Sequence, residues 1–182
     1  SLKEDVSCAE LFRLGDKDIL LCISHRMGCR YYVGEWKNEQ FYPESHWQMS
    51  WTDNTFFAPE SLLDDQGRRI MWAWLLDLAG INARFDTGWS GVMSLPRVIS
   101  LGKDRGAEGY LRIEVAAEIE RLRYRPQHMY DLDVPADADL QVDGVRGDSL
   151  ELLVEMDSAD ASQFGIKVCV SPNGEEQTII AY

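Results

Sequence analysis

With 182 residues, 45% of them hydrophobic, the chain has the length of one large domain or two small ones and enough apolar content for a packed core. Eighteen Lys and Arg against thirty-one Asp and Glu leave a net charge of −13, which repels phosphate backbones and anionic headgroups, so neither nucleic acid nor a membrane is expected as a partner. No run approaches the ~20 apolar residues of a membrane-spanning helix, and the opening SLKEDVSCAE has neither the basic nor the apolar region of a signal peptide.

In chain order, the first hundred residues read as short strands with turns between them. Ile19 to Ser24 is an apolar run and Arg30 to Trp36 a second; Lys37-Asn38-Glu39-Gln40 then turns the chain into Gln40-Phe41-Tyr42. Ser61-Leu62-Leu63 leads into Asp64-Asp65-Gln66-Gly67, a turn whose glycine can take a positive φ, and Arg68 to Trp74 returns. Strands at intervals of roughly 10–12 residues, without long amphipathic helices between them, favour a sandwich, barrel or propeller over an α/β fold.

After Leu101 the composition changes to the polar, glycine-rich GKDRGAEG, and from Gly109 onward six basic residues face fifteen acidic ones. A domain boundary is expected there, between 1–108 and 109–182. Ala116 to Tyr124 is the best helix candidate, with Ile119 and Leu122 on one side and the pairs Glu118/Arg121 and Glu120/Arg123 at i, i+3. Ser149 to Met156 and Gly165 to Val170 alternate as strands do, and Pro172-Asn173-Gly174-Glu175 forms a tight turn into a last strand from Gln177 to Tyr182.

Cys8, Cys22, Cys29 and Cys169 are too scattered for a disulfide scaffold and leave the redox compartment open; Cys22 and Cys29 lie in strand-like runs and are expected to be small buried apolar residues. His25, His46 and His128 lack metal-ligand spacing, so neither a metal nor another cofactor is expected.

Three segments, in this order and at this spacing, carry a resemblance to a known family. Gly88-Trp89-Ser90-Gly91-Val92-Met93-Ser94-Leu95-Pro96-Arg97 is similar to a GW(A/S)G-x-x-x-x-PR stretch. Phe56-Phe57-Ala58-Pro59-Glu60-Ser61-Leu62-Leu63-Asp64, followed by Gly67-Arg68-Arg69-Ile70-Met71-Trp72-Ala73-Trp74, is similar to FYAPQ-x-x-x-D and GRRI-x-WGW. Ser7-Cys8-Ala9-Glu10-Leu11-Phe12, with Gly15-Asp16-Lys17, is similar to ECPDLF-x-x-GDK. Together they resemble glycoside hydrolase family 32, the invertase, levanase and inulinase group of β-fructofuranosidases. The resemblance runs from Val6 to Arg97 and more loosely beyond.

It implies an all-β protein: the last blades of a five-bladed β-propeller over 1–108, then a linker helix and an antiparallel β-sandwich over 109–182, expected to be incomplete. It also implies a retaining mechanism on sucrose or fructans. One carboxylate attacks the anomeric carbon and a second protonates the leaving oxygen, the pair standing about 5–5.5 Å apart. The Asn-Asp-Pro and Arg-Asp-Pro segments that carry two of the family's acids do not occur in these 182 residues. The chain alone is therefore expected to be inactive, its open strand edges pairing with the missing N-terminal blades or with a second copy.

At the family's acid/base position stands Ser7, whose hydroxyl cannot act as a general acid near neutral pH. Glu10, three residues on, takes the place of a neighbouring Asp and has two readings, acid/base work or hydrogen bonds that fix the blade. Glu4 and Asp5 lie just upstream and reach the pocket only if the chain bulges there. The sugar-facing positions are Phe57, where the family has a tyrosine, together with Glu60, Trp74 and Asp77. Trp72 and Trp74 share a face, as blade packing or as a sugar platform. Three functions follow: a fructosidase, a carbohydrate-binding relative without catalysis, and a structural module whose funnel is unused.

Overall fold

The computed structural model describes residues 5–50, 55–76, 88–102 and 109–182. They divide into two compact units, Ser1–Leu122 and Arg123–Tyr182. Both are built from antiparallel strands, the all-β class expected from the sequence.

The first unit holds two antiparallel sheets. Strands β1 (Ser7–Leu14), β2 (Lys17–Ser24), β3 (Gly28–Lys37) and β4 (Gln40–Gln48) follow one another across the first sheet in chain order. The turns make that order: Asn38 and Glu39 take φ of 52° and 61°, the left-handed pair that a two-residue hairpin needs. Within the sheet, Gly34 sits at a bulge where an added Cβ would meet the Tyr42 carbonyl oxygen at 2.1 Å, so only glycine fits.

The second sheet runs β5 (Phe56–Leu63), β6 (Arg69–Leu75), β8 (Arg97–Gly102), β9 (Tyr110–Val115), with the two-residue β7 (Val92–Met93) also paired to β6. Between β5 and β6, Gly67 turns at φ 77° and donates its N–H to the Asp64 carbonyl. The Asp64 carboxylate accepts from the N–H groups of Gln66 and Arg68 and from Arg68 Nε, which locks the turn that the sequence predicts.

Both sheets contribute to one core. Phe12, Ile19, Leu21, Cys29, Tyr31 and Val33 of the first pack against Phe56, Met71, Ala73, Ile99 and Leu111 of the second. The Tyr31 hydroxyl accepts the Leu111 N–H at 2.9 Å, so even the polar end of this core residue is satisfied. Cys22 and Cys29 are fully buried, as the sequence predicts, and burial pushes their thiols up to about 11 and about 12.

The helix expected over Ala116 to Tyr124 is instead a 3-10 helix, Ala117–Leu122, closed by Ile119 N–H on the Ala116 carbonyl. None of its residues is buried, so nothing rewards extending six residues into an α-helix.

In the second unit, β10 (Gly165–Val168) and β11 (Thr178–Ala181) form an antiparallel hairpin. Its turn has the expected form, with Gly174 at φ 73° and its N–H on the Ser171 carbonyl. Ser149 to Met156 is not a strand: Leu150, Leu152 and Leu153 are exposed, and alternation without a partner strand or a covered face does not order a backbone.

Candidate functional site

The first strands of the two sheets, each at its sheet's edge, carry the same irregularity. On β1, Ser7 pairs with Ile23 and Glu10 with Leu21, so three steps along β1 match two along β2. On β5, Phe57 pairs with Trp74 and Glu60 with Trp72, the same three against two. In both, the residue after the first pairing is left-handed, Cys8 at φ 47° and Ala58 at φ 46°. A bulge re-aims the side chains around it, and Ser7 and Phe57 occupy equivalent places on the two strands.

The two glutamates at the far side of these bulges behave differently. Glu10 is mostly buried and its carboxylate is occupied: it accepts the Ser61 N–H at 2.8 Å, the Ser61 hydroxyl, and Arg69 Nη1 at 3.0 Å. The Arg69 guanidinium in turn lies 4.1 Å over the Phe12 ring. Glu10 thereby ties β1 to β5 and β6 across the sheet boundary. Glu60 is exposed on β5 opposite the half-buried Trp72.

Next to the bulge on β5 lies a line of rings. His25 stands edge-on to Phe57 at 5.3 Å, and Phe57 edge-on to Trp74 at 6.3 Å. Trp72 and Trp74 alternate along β6 with Met71 and Ala73, which are buried in the core, so the tryptophans face away from it. Trp74 is the more exposed of the two at 45%. Gly91 supports it: an added Cβ there would lie 2.0 Å from the indole Nε1, at a φ of +72°. The same segment is sewn to β6 by Ser94 N–H on the Ala73 carbonyl and Ala73 N–H on the Ser94 hydroxyl.

His25, which the sequence does not single out for the site, stands against Phe57 in the structure. Asp5 receives the His25 backbone N–H at 3.2 Å, its ring Nδ1 at 2.5 Å, and the Ser24 hydroxyl at 3.2 Å. These bonds, the histidine ring's first, hold the Asp5 carboxyl down at about 2. No sequence signal links two residues 20 apart that meet only through the pairing of the strands beside them. Asp77 and Glu4 lie outside the described residues.

A cavity of about 240 Å³ opens elsewhere, lined by Met27, Arg30, His46, Trp47 and Gln48. His46 there is shifted toward its neutral form, by burial first and then by Arg30. It contains none of the residues that carry the family resemblance. Among the described residues, no group of three or more His, Cys, Asp or Glu side chains is placed to hold a metal ion.

Sucrose-6-phosphate hydrolase from Zymomonas mobilis is 23% identical over 186 aligned positions, which take in 93% of this chain and 34% of that protein. Acid beta-fructofuranosidase from Vicia faba is 30% identical over 56% of this chain and 16% of its own length. The chain thus spans about a third or less of these relatives.

Two solved structures share the fold, each with a TM-score of 0.57. Fructan 1-exohydrolase IIa from Cichorium intybus, in complex with 1-kestose, matches 66% of this chain and 26% of its own at 20% identity. The Bombyx mori GH32 beta-fructofuranosidase matches 71% and 29% at 23% identity. Residues 4–111 match the glycosyl hydrolases family 32 N-terminal domain and residues 118–182 the family's C-terminal domain, with Ser7, Glu10, Phe57, Glu60 and Trp74 all inside the first match. The chain belongs to glycosyl hydrolase family 32.

Proposed function

We propose that this chain contributes the sugar-facing wall of a β-fructofuranosidase-type glycoside hydrolase acting on sucrose or fructans by the retaining, two-carboxylate route. The observation that carries the reading is the exposed ring line, Phe57 and Trp74 standing beside the β5 bulge with Gly91 opening room under the indole. Aromatic faces cover the apolar C–H side of a sugar, and exposed carboxylates accept from paired hydroxyls. Phe57 and Trp74 take the first role and Glu60 the second.

The acid/base place is held by Ser7, and Glu10 already accepts three donors. Neither side chain offers a proton to a leaving sugar, which gives the second reading its specific support: a carbohydrate-binding relative that keeps the wall and has lost catalysis. The catalytic reading requires a carboxylate nucleophile, which none of the three motifs supplies.

All six tryptophans lie before Leu122, so their fluorescence reports on this wall. Titration of the chain with fructose and with sucrose is expected to give a saturable change that Trp74→Ala or Phe57→Ala weakens by about tenfold, the equivalent of about 1.4 kcal/mol. A saturable change supports the sugar wall, which both readings share. A flat titration with the fold intact by circular dichroism removes the sugar wall and both readings with it.

A further inference from the structure

The charged side chains on the strands of the second sheet are Glu60, Arg69, Arg97, Arg112 and Glu114. Arg69 is held by Glu10, Arg112 pairs with Glu114 at 2.9 Å, and Arg97 lies 4.7 Å over the ring of the core residue Phe56. Glu60 is exposed and, among the described residues, has no hydrogen-bond or ion-pair partner.

Strand pairing fixes where that unengaged carboxylate stands. Glu60 lies opposite Trp72 and Phe57 opposite Trp74, and residues directly opposite on antiparallel strands share a side of the sheet. Met71 and Ala73 enter the core, so Glu60, Phe57 and both tryptophans occupy the other side. Glu60 is the diagonal neighbour of Trp74, about 7–8 Å away, and so borders the ring line. At the His25 end of that line, Asp5 is taken up by His25 and Ser24, and Arg26 follows in the chain with the opposite charge. Glu60 therefore tips the balance of charge along the wall.

Resting on the sugar-wall reading above, we propose that Glu60 is a specificity residue of this site, which takes uncharged sugars and disfavours their phosphate esters. An unengaged carboxylate accepts from sugar hydroxyls, whereas a phosphate ester brings acceptor oxygens and a charge of about −1.5 to −2 at neutral pH. Across water at about 8 Å, a single like charge weakens the binding of such an ester roughly fivefold at low salt. Near 0.15 M salt, where the screening length is about 8 Å, the factor falls to about twofold.

Sucrose and sucrose 6-phosphate are the matched probes, titrated against the 182-residue chain and read by tryptophan fluorescence. Sucrose is expected to bind about fivefold more tightly than its phosphate at low salt, the ratio narrowing to about twofold near 0.15 M. Glu60→Gln keeps the size and removes the charge, and is expected to bring the ratio to about one; Glu60→Lys is expected to favour the ester. Each variant is judged by the ratio, so a loss common to both sugars cancels.

Two results overturn the role of Glu60 and leave the sugar wall standing: an ester that binds the parent chain as tightly as sucrose or more so, and a preference for sucrose that survives Glu60→Gln. No fluorescence change with either sugar overturns the wall, and the role of Glu60 falls with it.

Discussion

Glu10 and Glu60 stand at the same place after the same bulge on the first strands of the two sheets, and their surroundings give them opposite uses. Glu10 meets Ser61 and Arg69 from the second sheet and becomes a joint between sheets. Glu60 meets no such pair and remains exposed. A carboxylate in a motif is therefore not a site residue by its type or spacing. Its availability depends on what the neighbouring sheet brings to it.

The largest effect expected from this contrast is on stability. Glu10→Ala leaves the mostly buried Arg69 guanidinium without its carboxylate and is expected to destabilise the first unit by about 2–3 kcal/mol, while Glu60→Ala stays within about 0.5 kcal/mol. Urea denaturation followed by tryptophan fluorescence compares them, and equal midpoints for the two variants would dissolve the distinction.

Gly91→Ala sharpens the comparison on the side of the wall. Its Cβ would collide with the Trp74 indole and with the Leu75 carbonyl, at a φ that disfavours side chains. A loss of about 1–3 kcal/mol and a shifted Trp74 emission are expected. Gly67→Ala controls for backbone strain alone: φ is also left-handed at +77°, but nothing lies within 4 Å, so about 1 kcal/mol is expected and no emission change.

The smallest effect belongs to Asp5. Its folded carboxyl is depressed from 3.8 to about 2, so its contribution to stability is complete above pH 3.8 and is lost as pH falls through 2. Melting temperatures of Asp5→Asn and the parent chain are expected to differ at pH 5 and to converge toward pH 2. A constant difference across that window would show that the carboxylate charge is not what His25 and Ser24 hold.

Much of this was written locally. Asn38-Glu39, Asp64 to Gly67 and Pro172 to Glu175 turn the chain where their residue types require it, and the strands between them alternate as strands must. Local pattern failed where a pattern lacked a partner. Ala116 to Tyr124 has helical spacing but no face to bury, and Ser149 to Met156 alternates beside no strand.

Residue order and type carry the all-β class, the positions of the turns and, through three ordered motifs, the family. These rest on interactions a few residues apart, or on strings of residues that need no geometry to be read. Which carboxylates are already engaged depends instead on how the strands pack. Glu10 meets its partners 51 and 59 residues away, and Asp5 meets His25 across 20. Hydrogen bonds act over about 3 Å of space whatever the separation along the chain, so the strand register that sets those distances is also what assigns each carboxylate its work.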